Sequence, residues 1–292
     1  MKAYLCEFLK DYAYPEDAAR VLLDAYDRIA ASAEARTLWE GAIALYEADC
    51  LCNYDDVLAA ADRAAQLIQA HPYTAELLIF LCLSKHLRAL YLERGIDLAY
   101  YRKSMEDLRY KLEECMLVYG IVGSFVARWF VGFFRLKRFG IGRLQFEVVP
   151  FKSNYERDGL VLTTASKVLN VHIPRSGEPL SEEACCDAYR AAKAFFQEEI
   201  QTDPCPFVCH SWLLHPPLEV VFPKHSNTYR FLKSYDVLET DADKNGDNLW
   251  RLFDTMEKNP DRLPADSSLR RAMIDYLKQG GTLGEGYGVL LV

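Results

Sequence analysis

The sequence predicts two halves of different character: an all-helical first half, then a second half of interleaved strands and helices, α/β or α+β. Three observations predict it. Apolar residues recur at helical spacing from Pro15 to Tyr119, the period changes to two near Phe139, and after Gly140 short alternating runs are separated by single helical segments. A chain of 292 residues is expected to hold two domains, and the change of period divides it into 1–139 and 140–292.

The first helix is expected from Pro15 to Ala31, opened by Pro-Glu-Asp, with Ala18, Val21, Leu22, Ala25 and Ile29 on one stripe. Arg36–Asp49, Tyr54–Ala70, Tyr73–Glu93 and Ile96–Tyr119 continue the pattern. Asp55 and Asp56 favour a helix start through the positive end of its dipole. His71-Pro72 separates two helices, because a residue before proline resists the α region. Gly120 ends the last of them. The apolar run from Gly120 to Leu136 is broken by Arg128 and glycines and falls short of a membrane span, so it reads as a buried helix.

Strands dominate after Gly140. In Gly142–Glu147 and the following valine, Leu144, Phe146 and Val148 oppose Arg143, Gln145 and Glu147. In the next block Leu169, Val171 and Ile173 oppose Asn170 and His172, and a third strand begins at Phe207. The polar faces carry Arg, Gln, Glu, Asn and His, residues that bind and move protons, in place of the usual solvated Lys and Thr. Ser181–Gln197 reads as a helix capped by Ser181, Ser226–Lys233 as a shorter one capped by Ser226, and Ser267–Lys278 as a third. Leu249–Phe253 and Tyr287–Val292 read as strands.

Composition excludes several classes. A net charge of −8 argues against a nucleic-acid surface, which needs concentrated Lys and Arg. The N-terminal residues lack the apolar run of a signal peptide. Nine cysteines without regular spacing fit reduced thiols, and the expected location is cytoplasmic.

His210 and His215 differ by an odd number and so cannot share one strand face with His172; no metal site is expected. Asp241-Ala-Asp-Lys-Asn-Gly-Asp247 opens like a calcium loop but has Asn248 and Leu252 at the hydrophobic and glutamate positions, so it reads as a polar turn between strands. Cys209-His210-Ser211 invites a hydrolase reading with Ser211 or Cys209 as nucleophile, yet adjacent strand residues cannot face each other. The loop Pro174-Arg-Ser-Gly-Glu-Pro179 joins a strand to a helix start, where free N–H groups can hold a phosphate.

Together these blocks resemble a bacterial acyltransferase family built from a helical N-terminal domain and a GNAT-like C-terminal domain. The resemblance rests on Gly142–Glu147, Val171-His-Ile-Pro174, Gly177 with Pro179-Leu180, Phe195-Phe196, Cys209-His-Ser-Trp-Leu-Leu214, Ser226-Asn227 and the tail from Leu263-Pro264 to Gly288. It implies an α+β fold, with the helical domain followed by a mixed sheet and flanking helices. In that fold the fourth and fifth strands splay to hold the pantetheine arm of acyl-CoA; Val168–Ile173 and Phe207–Leu214 would be those strands.

The resemblance also implies a direct acyl transfer from acyl-CoA, with acetyl-CoA the expected donor, to an amine or other small acceptor. Glu147 and His172 are the candidate bases and Tyr229 the candidate acid. Asn170, Val171 and Ile173 on the strand, Arg175, Ser176 and Gly177 in the loop, and Ser211, Ser226 and Asn227 beyond are the expected CoA contacts. The loop departs from the usual Gln/Arg-x-x-Gly-x-Gly/Ala signature, which favours the alternative of a non-catalytic sensing module on the same fold. On the sequence reading, neither calcium nor zinc should stabilise the chain. A metal bound only by the native state at a hundredfold excess over its Kd adds about 2.7 kcal/mol; a chelator-reversible rise of that size in urea unfolding would contradict this.

Overall fold

The computed structural model describes residues 1–157 and 159–292, and these divide into two compact units, Met1–Phe139 and Gly140–Val292. In the first, six helices follow one another: α1 (Lys2–Asp11), α2 (Glu16–Ala31), α3 (Ala33–Ala48), α4 (Tyr54–Leu67), α5 (Pro72–Glu93) and α6 (Leu98–Tyr119). Caps start them where the sequence carries short polar residues. Ser32, Asn53 and Asp97 accept backbone N–H groups of the first turns, and His71 does so through Nδ1 with Pro72 at the first helical position. Gly120 closes α6 in the left-handed region at φ 68°. α5 is the central helix, buried from Thr74 to Ser84 except at Glu76. Its Phe80 joins Tyr46, Tyr54, Phe130 and Phe134 in a cluster of edge contacts and one stack.

Two expectations for this unit fail. Helix α1 precedes the first helix expected; its stripe of Leu5, Phe8 and Leu9 is only three residues wide and is interrupted by charge. The run from Gly120 to Leu136 is not one helix but a 3-10 turn, Ala127–Phe130, followed by the four-residue α7 (Val131–Phe134). Aromatic burial fixes this segment: Phe130, Phe133 and Phe134 are fully buried, and Gly123 sits against the Tyr73 backbone, where a Cβ would lie 2.4 Å from the carbonyl carbon. Among the described residues no helix is long and apolar enough to cross a membrane.

The second unit is built on a six-stranded mixed sheet. Its strands are β1 (Arg138–Ile141), β2 (Leu144–Pro150), β5 (Lys167–His172), β6 (Pro206–Ser211), β7 (Asp236–Asp241) and β8 (Glu285–Leu291), and a separate hairpin pairs β3 (Tyr155–Arg157) with β4 (Leu160–Leu162). The order across the sheet is β1-β2-β5-β6-β8-β7, with β5 and β6 parallel and every other pair whose register is resolved antiparallel. Gly142 makes the β1–β2 turn at φ 60°. The helices are α8 (Glu182–Phe195), α9 (Asn227–Ser234), α10 (Trp250–Phe253) and α11 (Ser268–Lys278), and Ser181, Ser226 and Ser267 cap α8, α9 and α11.

One sheet face packs on α8: Phe146, Phe207 and Tyr189 meet with centroids 5.0–6.2 Å apart. Tyr189 and Tyr235 share a hydrogen bond of 2.9 Å beneath the helices. The other face holds a second cluster of Phe151, Leu162, Val168, Val208, Tyr287 and Val289, partly covered by the β3–β4 hairpin. The hairpin was not anticipated, because its short runs carry Glu and Arg; β7 is the strand expected before the 241–247 turn, for which the sequence reading gave no bounds. Leu249–Phe253, expected as a strand, is a short helix, and the 241–247 turn joins β7 to it instead of joining two strands. Phe146→Ala removes a fully buried β2 ring that packs on Tyr189 and Phe207 and should cost about 3–5 kcal/mol. Hydrogen exchange should show protection lost across 140–292 and kept across 1–139; uniform loss over both segments would mean they unfold as one.

Candidate functional site

Antiparallel register builds the polar cluster. Gln145 pairs with His172 and Glu147 with Asn170, so four polar side chains from β2 and β5 occupy neighbouring positions on one face. Glu147 and His172 meet diagonally: Nε2 of the imidazole lies 2.7 Å from Oε1 of the carboxylate, and each side chain is 17% exposed. Asn170 Nδ2 sits 3.4 Å from the same Oε1 and 3.2 Å from Nε2. A protonated Nε2 donates to Glu147, which fixes the ring orientation as a carboxylate does for a catalytic imidazole. The sequence offers Glu147 and His172 as separate candidates; the structure joins them. Gln145, buried in the same row, was not singled out, although its position two residues before Glu147 places it on that face.

Beside this cluster the sheet opens. The parallel ladder between β5 and β6 spans Leu169–Val171 against Phe207–Cys209 and stops. β5 continues with β2 to the Gln145–His172 pair, while β6 continues with β8 through His210–Tyr287 to Ser211–Gly286. Val171 thus lies at the last rung, and Ile173 lies just past it. On the β5 side, buried Arg143 donates to the carbonyls of Pro174 (3.0 Å) and Glu178 (3.0 Å), holding the following loop toward the β1–β2 turn. On the β6 side, Ser211 Oγ accepts from Leu213 N and starts a 3-10 turn, Trp212–Leu214. That turn crosses β8 at Gly286, where a Cβ would fall 2.0 Å from the Leu214 carbonyl oxygen.

The loop after β5 is held from a second direction. Ser176 Oγ accepts from Glu178 N, and Gly177 takes φ 76°. Arg175, expected near phosphates, makes a two-pronged ion pair with Asp254, which also receives Arg270. Burial would raise the Asp254 carboxyl, but the hydrogen bonds and charges of Arg175 and Arg270 outweigh it and hold the group below the usual carboxylate range. Asp254 and Arg270 are distant in sequence from the loop, and no local pattern announces them.

A groove of about 800 Å³ runs between α8 and α9. Cys185, Tyr189, Phe231 and Leu290 line it, with Asn227, Tyr229, Lys224 and Arg230 among its polar residues. Tyr229 Oη donates to Glu219 Oε1 at 3.1 Å, and Ser226 Oγ accepts from Tyr229 N as the α9 cap. Tyr229, Ser226 and Asn227 therefore belong to the helix side of the sheet, whereas Glu147 and His172 belong to the opposite face. Cys209 alternates away from the polar face, is 1% exposed, and burial pushes its thiol well above the ordinary value, against a thiolate nucleophile. His210 lies on the polar face 3.6 Å from Glu285, and His215 is buried, with burial lowering its basicity. Among the described residues no group of three or more His, Cys, Asp and Glu side chains could hold a metal ion.

Residues 138–290 match the model of the GNAT-like C-terminal domain. The chain belongs to the GNAT-like C-terminal domain family. Residues 3–136 match the model of the N-acyltransferase N-terminal domain. Solved structures extend the likeness across nearly the whole chain. An acyltransferase in complex with decanoyl-CoA and teicoplanin is 22% identical, with a TM-score of 0.72 over 98% of this chain and 86% of that one. A mutant acyltransferase in complex with octanoyl-CoA is 21% identical, with a TM-score of 0.71 over 98% and 87%. At such identities the likeness is one of fold. No curated protein matches the chain.

In this GNAT-like unit the Asp254 network is expected to carry stability with a definite sign. Its folded pKa is depressed, so the contribution is fully present above the unfolded value near 4 and is lost as pH falls through the folded value. Asp254→Asn, tolerable at φ 57°, should cost about 2–3 kcal/mol at pH 7. Urea unfolding should show the difference shrinking below about pH 4; a difference constant down to pH 2 would contradict the assignment.

Proposed function

We propose that this chain transfers an acyl group from acyl-CoA to a small nucleophile, an amine by preference, in one direct step. The observation that supports it best is the Glu147–His172 pair set beside the point where β5 and β6 part. The β5–β6 ladder ends at that point, and an extended pantetheine amide chain is suited to run along strand backbone at such an opening. Val171, Ile173 and Ser211 border the opening, with Asn170 one rung back in the ladder; the Arg175–Gly177 loop follows it, and Ser226 and Asn227 begin α9.

In the proposed step the acceptor's lone pair attacks the thioester carbonyl and a C–N bond forms. The acceptor's proton passes to the His172 imidazole, and Glu147 steadies the imidazolium. The C–S bond then breaks, and Tyr229 is the candidate to return a proton to the CoA thiolate. Acetyl-CoA is the donor expected from the sequence. The structural neighbours hold octanoyl and decanoyl thioesters, which favours including medium chains in any assay. The absence of the usual loop signature and the capture of Arg175 by Asp254 favour a second reading, a ligand-sensing module without turnover.

The test uses acetyl-, octanoyl- and decanoyl-CoA with a panel of primary amines. CoA release should rise with pH through one ionisation, and His172→Gln should lose about 10²–10⁴-fold in rate and abolish that limb. Glu147→Gln should lose less and shift the limb to lower pH, since the imidazolium loses its carboxylate partner. Binding of acyl-CoA without turnover on any acceptor would support the sensing module. Near-normal rates in both variants would remove the pair from the mechanism.

A further inference from the structure

A second groove, of about 830 Å³, lies wholly within the first unit, between α1, α5 and α6. Its volume is that of a small-ligand site. The floor is aromatic and built from ordered groups. Tyr4 Oη lies 2.8 Å from Ser84 Oγ and 3.1 Å from Tyr101 Oη, and Tyr101 Oη donates to the Ser84 carbonyl at 3.0 Å. Phe8 and Tyr12 stack at 4.2 Å beside them. None of this contributes to the acyl-transfer chemistry proposed above.

The charges above that floor are the informative feature. Three guanidiniums and three carboxylates line the groove, so its own charge is balanced. Arg109 is taken by Glu113, and Glu106 by Lys103 and Tyr110. Among the described residues Arg88 and Arg102 on α5 and α6, and Glu7 and Asp11 on α1, form no ion pair or side-chain hydrogen bond. The Tyr12 hydroxyl likewise has no hydrogen-bond partner there. With Arg109 and Glu106 of α6 already paired, the remaining cations lie on α5 and α6 and the remaining anions on α1, which suits neither a phosphate nor a simple cation, because each would meet like charge. They suit a molecule carrying both signs.

We propose that this groove binds a zwitterion with an aromatic side group, of the class of an aromatic dipeptide. Its carboxylate would pair with Arg88 and Arg102, where guanidinium forks make their strong bonds. The ammonium would meet Glu7 and Asp11, and the ring would rest on Phe8 and Tyr12. The site goes beyond the acyl-transfer reading and does not depend on it.

Calorimetry on the full chain tests it with L-phenylalanyl-L-phenylalanine as the probe. Saturable one-to-one binding is expected, weakened at least tenfold when the peptide is N-acetylated and C-amidated. The exposed pair Arg88→Gln/Arg102→Gln should weaken the free dipeptide at least tenfold with the unfolding curve unchanged, and Asp11→Asn tests the ammonium side separately. His172→Gln should leave this affinity unchanged. No binding at millimolar peptide, equal affinity for the blocked peptide, equal affinity of the variants, or competition by acyl-CoA would each overturn the proposal.

Discussion

Parallel pairing of β5 with β6 lasts three rungs, while each strand keeps its antiparallel neighbour beyond that point. The opening assigned to the acyl-CoA arm depends on this early parting. Two devices enforce it from opposite sides. Arg143 draws the chain after β5 toward the β1–β2 turn through two carbonyls, and the Ser211-initiated turn carries the chain after β6 over β8. A side chain at position 286 would block the second device, and an unfilled pair of carbonyls would undo the first. Neither strand can therefore close the gap without giving up partners it already has, which is the physical reason an open edge can persist inside a sheet.

The two faces of the sheet divide the work. The face under α8 is aromatic and aliphatic, and it buries Cys209 and both hydroxyls of the Tyr189–Tyr235 pair. The opposite face is apolar toward Phe151 and polar toward Gln145, where Glu147, Asn170 and His172 form one hydrogen-bonded group. Partial burial of the pair strengthens its interaction relative to water while leaving an edge of the imidazole within reach of a ligand. The groove between α8 and α9 supplies room on the helix side, and the loop held by Arg143, Asp254 and Arg175 borders the strand end from which a ligand would pass between the two.

Much of this was legible in the sequence, and the failures have physical causes. Period-two alternation identified β2, β5 and β6 and placed Glu147 and His172 on polar faces; serine caps located α8 and α9. What alternation cannot supply is register. That Glu147 meets His172, and not Arg143 on its own strand, follows from the pairing of Gln145 with His172, which is a property of the assembled sheet. Asp254 is not legible because its partner Arg175 lies some eighty residues away in a loop, and Arg270 joins the network only through Asp254. Leu249–Phe253 is a short apolar run in which helix and strand cannot be told apart by period alone, whereas Gly120–Leu136 is broken into a 3-10 turn and a short helix by the burial of its aromatic rings.

A structure with a non-reactive acyl-CoA analogue, its thioester sulfur replaced by methylene, tests the central claim most directly. The account predicts that the pantetheine chain lies in the opening past Val171 and Cys209, makes backbone hydrogen bonds to residues 172–174, and leaves the carbonyl within proton-transfer reach of an acceptor held by His172. Density for the analogue elsewhere, or a β5–β6 ladder that zips shut when the ligand is present, would contradict it.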